Sequence, residues 1–261
     1  TENKDKQIYF LCAMPRSGNT LFASIMNQNP DVVVTPNSIT LEIMKELFLL
    51  KRNDVFQNFP DEQSLDNIMN EVYNLYYKNW NYKIIIDRGP VCTPNNLMVM
   101  RKHFKQPLRC IVLVRDLLDV LASYIKWFET EPTAFPNKDG LKNIEEKLSK
   151  VMIKDGAVAK GLMSIKYLLQ HPEMAVFIKY DDLVQNPEQE IRKVYTFLNL
   201  PYFNHRFIDL DQIIVNGLSY NDSFVGKNMH TIRTEKIMKV ENEYKKLIPE
   251  KFVKEYGHVR F

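Results

Sequence analysis

The sequence predicts a three-layer α/β fold, in which helices flank a central and mostly parallel sheet, and three observations predict it. Four short apolar runs of strand character, at 8–14, 83–86, 108–114 and 175–180, are separated by stretches where apolar residues recur at helical spacing. Charged and hydroxyl residues gather directly after these runs, as Arg16-Ser17, Asp87-Arg88 and Arg115-Asp116, at the strand ends where parallel sheets bind ligands. The 261 residues show no break in composition that would mark a linker, so one domain spanning 1–261 is expected to enclose one core.

The first run leads into the turn Pro15-Arg16-Ser17-Gly18-Asn19-Thr20, after which Leu21, Phe22, Ile25 and Met26 mark a helix. A helix start of this kind attracts an anion, because its first amides lack intrahelical partners and the helix dipole favours negative charge. Gly18 lets the backbone bend close to that anion, and the amides from Ser17 to Leu21 converge on it. Ser17 and Thr20 add hydroxyl donors, and Arg16 adds a permanent charge. The turn is P-loop-like in form, yet it has one glycine and no lysine where a nucleotide hydrolase has GxxxxGK[ST], and GxGxxG is absent. An ordinary capped strand-to-helix turn uses the same residue types.

Val32-Val33-Val34 reads as a short strand after the turn at Asn29-Pro30-Asp31. Ser38 then caps a helix that carries Glu42, with Leu41, Met44, Leu47 and Phe48 on its apolar face. Residues 61–79 form a further helix with Leu65, Ile68, Met69, Val72, Tyr73 and Tyr76 on one side. The strand at 83–86 ends in Asp87-Arg88-Gly89-Pro90, which is either two charges at a ligand-binding edge or a plain surface turn. After 108–114, Arg115 at the strand end, Asp116 as a helix cap and Ser123 about two turns on can converge on one oxyanion. Residues 127–140, with Pro132 and Pro136, read as an irregular loop whose Trp127, Phe128 and Phe135 either line a ligand site or pack in the core. Residues 141–169 return to helix. The strand at 175–180 is followed by a capped turn, a helix from Pro187 and a stop at Pro201. Residues 234–249 alternate Lys and Glu and read as a solvated terminal helix.

The formal charge of +3 suits a small anionic ligand and lacks the dense basic stripe of a nucleic-acid binder. Cys12, Cys92 and Cys110 lie far apart in the sequence, with no CxxC and no metal-ligand spacing, and read as buried reduced thiols. No run is long enough to span a membrane, and the apolar segment at 8–14 is too short for a signal peptide, so the chain is expected to be cytoplasmic.

PRSGNTLF resembles the 5'-phosphosulfate-binding loop of sulfotransferases, which use 3'-phosphoadenosine 5'-phosphosulfate (PAPS) as donor. The longer run PRSGNTLFASIMNQNPDVVVTPNS is similar to the opening of bacterial and phage-type members and of the protein-tyrosine sulfotransferases. IIIDRGP resembles a family strand end in which Arg88 stands where the family has Lys, and Arg115 followed eight positions later by Ser123 resembles its 3'-phosphate site. KYDDLVQNPEQEIRKVYTFLNLP and SYNDSFVGKNMHTIR resemble two later family segments, the second a Gly-containing loop that returns over the nucleotide. These motifs occur in family order from 8 to 233.

The resemblance implies in-line transfer of the sulfuryl group from PAPS to a hydroxyl or amine acceptor, without a metal. It implies donor contacts from Pro15, Arg16, Ser17, Gly18, Asn19, Thr20, Leu21, Arg115 and Ser123, with Lys227 and Arg233 from the returning loop. Arg16 and Arg88 would stabilise the leaving phosphate. The family's bases are missing: Asn37 stands where protein-tyrosine members have Glu, and Arg88 lies near the position of the cytosolic members' His. Asp87 and Glu42 are the expected replacements, with His230 third. A degenerate module that binds PAPS, or its product 3'-phosphoadenosine 5'-phosphate (PAP), is the alternative. A P-loop kinase is disfavoured by the absent Lys-Ser/Thr pair. The acceptor stays open among phenols, sugars, lipids, peptides and amines.

Overall fold

The computed structural model describes residues 6–132, 134, 137, 139–224, 230–232, 237 and 242–261. Its main sheet contains β1 (Gln7–Ala13), β2 (Val32–Val34), β3 (Ile84–Arg88), β4 (Cys110–Val114) and β5 (Ala175–Lys179). The strands are all parallel, in the order β2-β3-β1-β4-β5. β1 is central, with Leu11 opposite Arg88 on one side and Phe10 opposite Cys110 on the other. The chain therefore reverses its direction of winding at β1, and the end of β1 opens into the crevice where such sheets bind ligands. β2, β4 and the apolar part of β3 are buried throughout, as expected of parallel strands covered on both faces.

The flanking helices are α1 (Asn19–Met26), α2 (Thr40–Leu49), α3 (Asp54–Asn58), α4 (Glu62–Tyr76), α5 (Pro94–His103), α6 (Leu117–Thr130), α7 (Ile144–Met152), α8 (Ala157–Leu169), α9 (Tyr180–Gln185), α10 (Pro187–Leu198) and α11 (Glu250–Tyr256). Several starts carry side-chain caps: Asp61 accepts from Ser64 N, Thr93 from Asn96 N and Asp116 from Asp119 N. Ser38, expected to cap α2, does not: Ile39 stands at that position without a side-chain cap, and Ser38 Oγ accepts from Thr40 N at 3.2 Å. Among the described residues no helix is long and apolar enough to cross a membrane.

Four further expectations change. The loop predicted from 127 begins later, because α6 continues to Thr130 and buries Trp127 and Phe128; Phe135 lies outside the described residues. The helix predicted over 141–169 is two helices, broken at residues 153–156 where Gly156 begins the second. The described part of the C-terminal segment is a short 3₁₀ turn, Glu243–Leu247, followed by α11, and it is docked rather than solvated. Lys245 reaches Asp116 at 3.3 Å and Asp119 at 2.9 Å, and Phe252 is buried. Ile68, assigned to the apolar side of α4, is exposed.

Candidate active site

The turn from β1 into α1 carries two left-handed residues, Arg16 (φ 66°) and Gly18 (φ 91°). Gly18 is required twice over. A side chain would strain its backbone, and a Cβ would stand 2.7 Å from Cδ2 of Tyr180. Gly18 caps α1 with its carbonyl, which accepts from Phe22 N at 2.9 Å, and no acidic residue occupies the first turn. The free amides of that turn therefore keep their attraction for an anion. Asn19 is buried and donates from Nδ2 to Met14 O at 3.1 Å, so it braces the loop. Thr20 and Leu21 are half-buried in the first turn of α1, and Pro15 is half-buried before it.

Strand order brings three arginines to this turn. Arg16 Nε donates to Ser123 Oγ at 3.0 Å, and Arg115 Nη1 donates to the Arg16 carbonyl at 2.8 Å. Arg115 and Ser123 are thus each hydrogen-bonded to Arg16, which lies between them. The Arg115 guanidinium also lies 4.2 Å from the ring centroid of Tyr180, the ring that faces Gly18. Arg88, at the end of β3, donates from Nη1 to Pro36 O at 2.9 Å and to Tyr220 Oη at 3.0 Å. Burial lowers the Arg16 pKa, and the charges of Arg115 and Arg88 push it the same way. Tyr124, buried beside Arg16 and Arg88, is pushed up to about 12 by its burial and stays a neutral phenol.

Two buried polar atoms here have no protein partner, Ser17 Oγ and Arg115 Nε. Among the described residues, neither Arg88 nor Arg115 has a carboxylate within ion-pair distance. Buried donors left without acceptors cost stability. Phosphate oxygens would satisfy them.

The two expected bases sit in different settings. Successive strand residues point to opposite faces, so Asp87 turns away from its neighbour Arg88 and into the layer formed by α2 and α4. Its Oδ1 accepts from Thr35 Oγ1 at 3.3 Å and its Oδ2 from Thr40 Oγ1 at 2.5 Å, and it is 1 % exposed. Burial raises its pKa against these hydrogen bonds. A carboxylate so enclosed holds structure: the same Thr35 Oγ1 accepts from Arg88 N at 2.9 Å and so links Asp87 to the arginine's backbone. Glu42 is exposed in the first turn of α2, where the helix dipole favours an acid in any case.

His230 is the group that the fold brings in. Its ring stacks on Tyr220 with centroids 3.8 Å apart and planes 3° apart, and Tyr220 Oη is the acceptor for Arg88. Nδ1 of His230 lies 2.6 Å from Asp222 Oδ1, and His230 N donates to Asp222 Oδ2 at 3.1 Å. Burial lowers the His230 pKa; Asp222 opposes the shift, and the charges of Arg88 and Arg16 add to it. Lys227 and Arg233 lie outside the described residues. Tyr124, Tyr180, Tyr220 and Asp222 were not singled out from sequence. Tyr180 lies within the segment KYDDLVQNPEQEIRKVYTFLNLP, and Tyr220 and Asp222 lie within SYNDSFVGKNMHTIR, so their signal in the sequence is membership of a motif segment.

The family model for the sulfotransferase domain matches residues 6–251. Among solved structures, the sulfotransferase domain from the curacin biosynthetic pathway is similar at 19% identity, covering 100% of this chain and 93% of that one, with a TM-score of 0.53. The sulfotransferase domain from the Synechococcus PCC 7002 olefin synthase is 13% identical, covering 100% and 98%, with a TM-score of 0.51. A sulfotransferase from Alicyclobacillus acidocaldarius is 14% identical over 77% of this chain and 84% of its own, with a TM-score of 0.50. At these identities the likeness is one of fold. No curated protein matches the chain.

Proposed function

The chain belongs to the sulfotransferase domain family, and from that premise we propose that it moves the sulfuryl group of PAPS to a hydroxyl or amine acceptor. The observation that carries this reading is the convergence of Arg16, Arg88 and Arg115 on a left-handed turn at the sheet's switch point, with Ser17 Oγ and Arg115 Nε unsatisfied. Such a cradle fits a dianionic phosphosulfate.

In the proposed reaction the acceptor atom attacks sulfur while the bond from sulfur to the 5'-phosphate oxygen breaks in line, and PAP leaves. Negative charge grows on that phosphate, so donors already oriented towards it lower the barrier. Arg16, Arg88 and the amides from Ser17 to Leu21 take this role. Arg115 and Ser123, with Lys227 and Arg233 from the returning segment, hold the 3'-phosphate and set the register of the donor. No step is routed through a metal, because the guanidinium groups supply the positive charge.

His230 is the proposed base. Asp222 orients its ring, and a pKa below the ordinary 6.5 keeps it neutral and able to take the acceptor proton near neutral pH. This oriented pair favours an enzyme over a degenerate PAP-binding module.

The test is calorimetric titration with PAP, without added metal, on the parent and on Arg115→Ala. Binding by the parent that is lost in the variant is the expected result. A parent that does not bind PAP defeats the proposal.

A further inference from the structure

The three cysteines, separated by 80 and 18 positions in the sequence, meet in the fold. Cys12 on β1 and Cys110 on β4 occupy the same face of neighbouring strands, offset by two residues. Cys92, in the segment between β3 and α5, completes a triangle in which every Sγ lies within 4.8 Å of the others, with Cys92 and Cys110 at 3.8 Å. All three thiols are free and fully buried.

Thiolate bonds to a metal of about 2.3 Å place the corners of a three-coordinate site about 4 Å apart, which is the spread seen here. Tetrahedral zinc would need a fourth ligand. Among the described residues no His, Asp or Glu joins the group, and all three cysteines are buried. The Gly89 carbonyl, 3.5 Å from Cys12 Sγ, is a hard oxygen donor. Soft all-sulfur coordination without a fourth ligand selects a monovalent soft ion.

There is also a way in. A cavity of about 740 Å³ reaches Cys92, and it is lined by the thioethers of Met98 and Met163 and by Arg101 and Lys166. Thioethers are ligands a soft ion can exchange between, and the two cations offset the negative charge of a thiolate site.

We infer that Cys12, Cys92 and Cys110 form a three-coordinate thiolate site for Cu(I), entered through the cavity at Cys92. Three S–Cu bonds form, the thiol protons leave to solvent, and the ion keeps its oxidation state.

The reduced full chain is titrated anaerobically with Cu(I) held by the chelator bicinchoninate. One ion per chain should be withdrawn from the chelator, with a rise in melting temperature, and X-ray absorption should show sulfur neighbours alone at about 2.3 Å. Withdrawal should be lost in Cys92→Ala and in Cys110→Ala, with unchanged far-ultraviolet circular dichroism. If either variant does not fold, the absorption spectrum of the parent decides. Copper that stays with the chelator, uptake unchanged in folded variants, or nitrogen and oxygen neighbours would each overturn the site.

Discussion

At Gly18, conformation and packing make the same demand. Its φ of 91° and the Tyr180 ring 2.7 Å from any added Cβ mean that Gly18→Ala must move the loop or the ring. Strain of this kind costs about 1–3 kcal/mol, so denaturant unfolding of Gly18→Ala should show a loss of that size. The same variant should lose PAP binding, because Tyr180 is shared with Arg115. His230 makes a different prediction. Since burial outweighs Asp222, its pKa lies below 6.5, and the acid limb of kcat/KM should fall below that pH. Asp222→Asn removes the group that raises the pKa, so it should move the limb lower still and reduce kcat, with the Kd for PAP unchanged. An acid limb unmoved by Asp222→Asn would remove His230 from the base role.

At the scale of elements, the junction of β3 with α2 shows how one strand end serves two purposes. Arg88 faces the crevice, while Asp87 ties the start of α2 through Thr40 and the end of β2 through Thr35. Burial raises the Asp87 pKa above 3.8, so the folded state holds this proton more tightly than the unfolded state. The stability that depends on that proton is present at low pH and is lost as pH rises through the folded-state value. Asp87→Asn cannot ionise and lacks that loss. Unfolding measured across pH should therefore show the difference between variant and parent moving in the variant's favour as pH rises above 3.8. Sulfuryl transfer should survive this substitution if Asp87 is structural, and a collapse of kcat in a stably folded variant would return it to catalysis.

The whole molecule is closed by its C-terminal segment, which docks on the N-terminal end of α6, the helix that follows Arg115 and carries Ser123. Two kinds of contact hold it, and they differ in worth. The ion pairs of Lys245 with Asp116 and Asp119 are partly exposed, so Lys245→Ala should cost less than about 1 kcal/mol. Phe252 is 2 % exposed, and Phe252→Ala should cost about 3–5 kcal/mol. Urea unfolding of the two variants separates them, and a larger loss for Lys245→Ala than for Phe252→Ala would mean that the charges rather than the ring hold the segment.

Sequence by itself determined whatever is local. The strand, turn and helix around Gly18 follow from residue types within a few positions of one another, and so does the cap at Asp116. The arginines could be placed at strand ends because a strand end is visible in the chain. Tertiary structure alone decided which way each side chain faces and what it meets there. Asp87 and Arg88 are adjacent in sequence but lie on opposite faces of β3, and only the layer covering each face makes one structural and the other a donor to the site. The stack of Tyr220 on His230, the Tyr180 ring at Gly18 and the three converging thiols join segments 10 to 162 residues apart. The Tyr180 contact and the thiol cluster are set by the order in which parallel strands pair, a property of the assembled sheet that no stretch of chain contains.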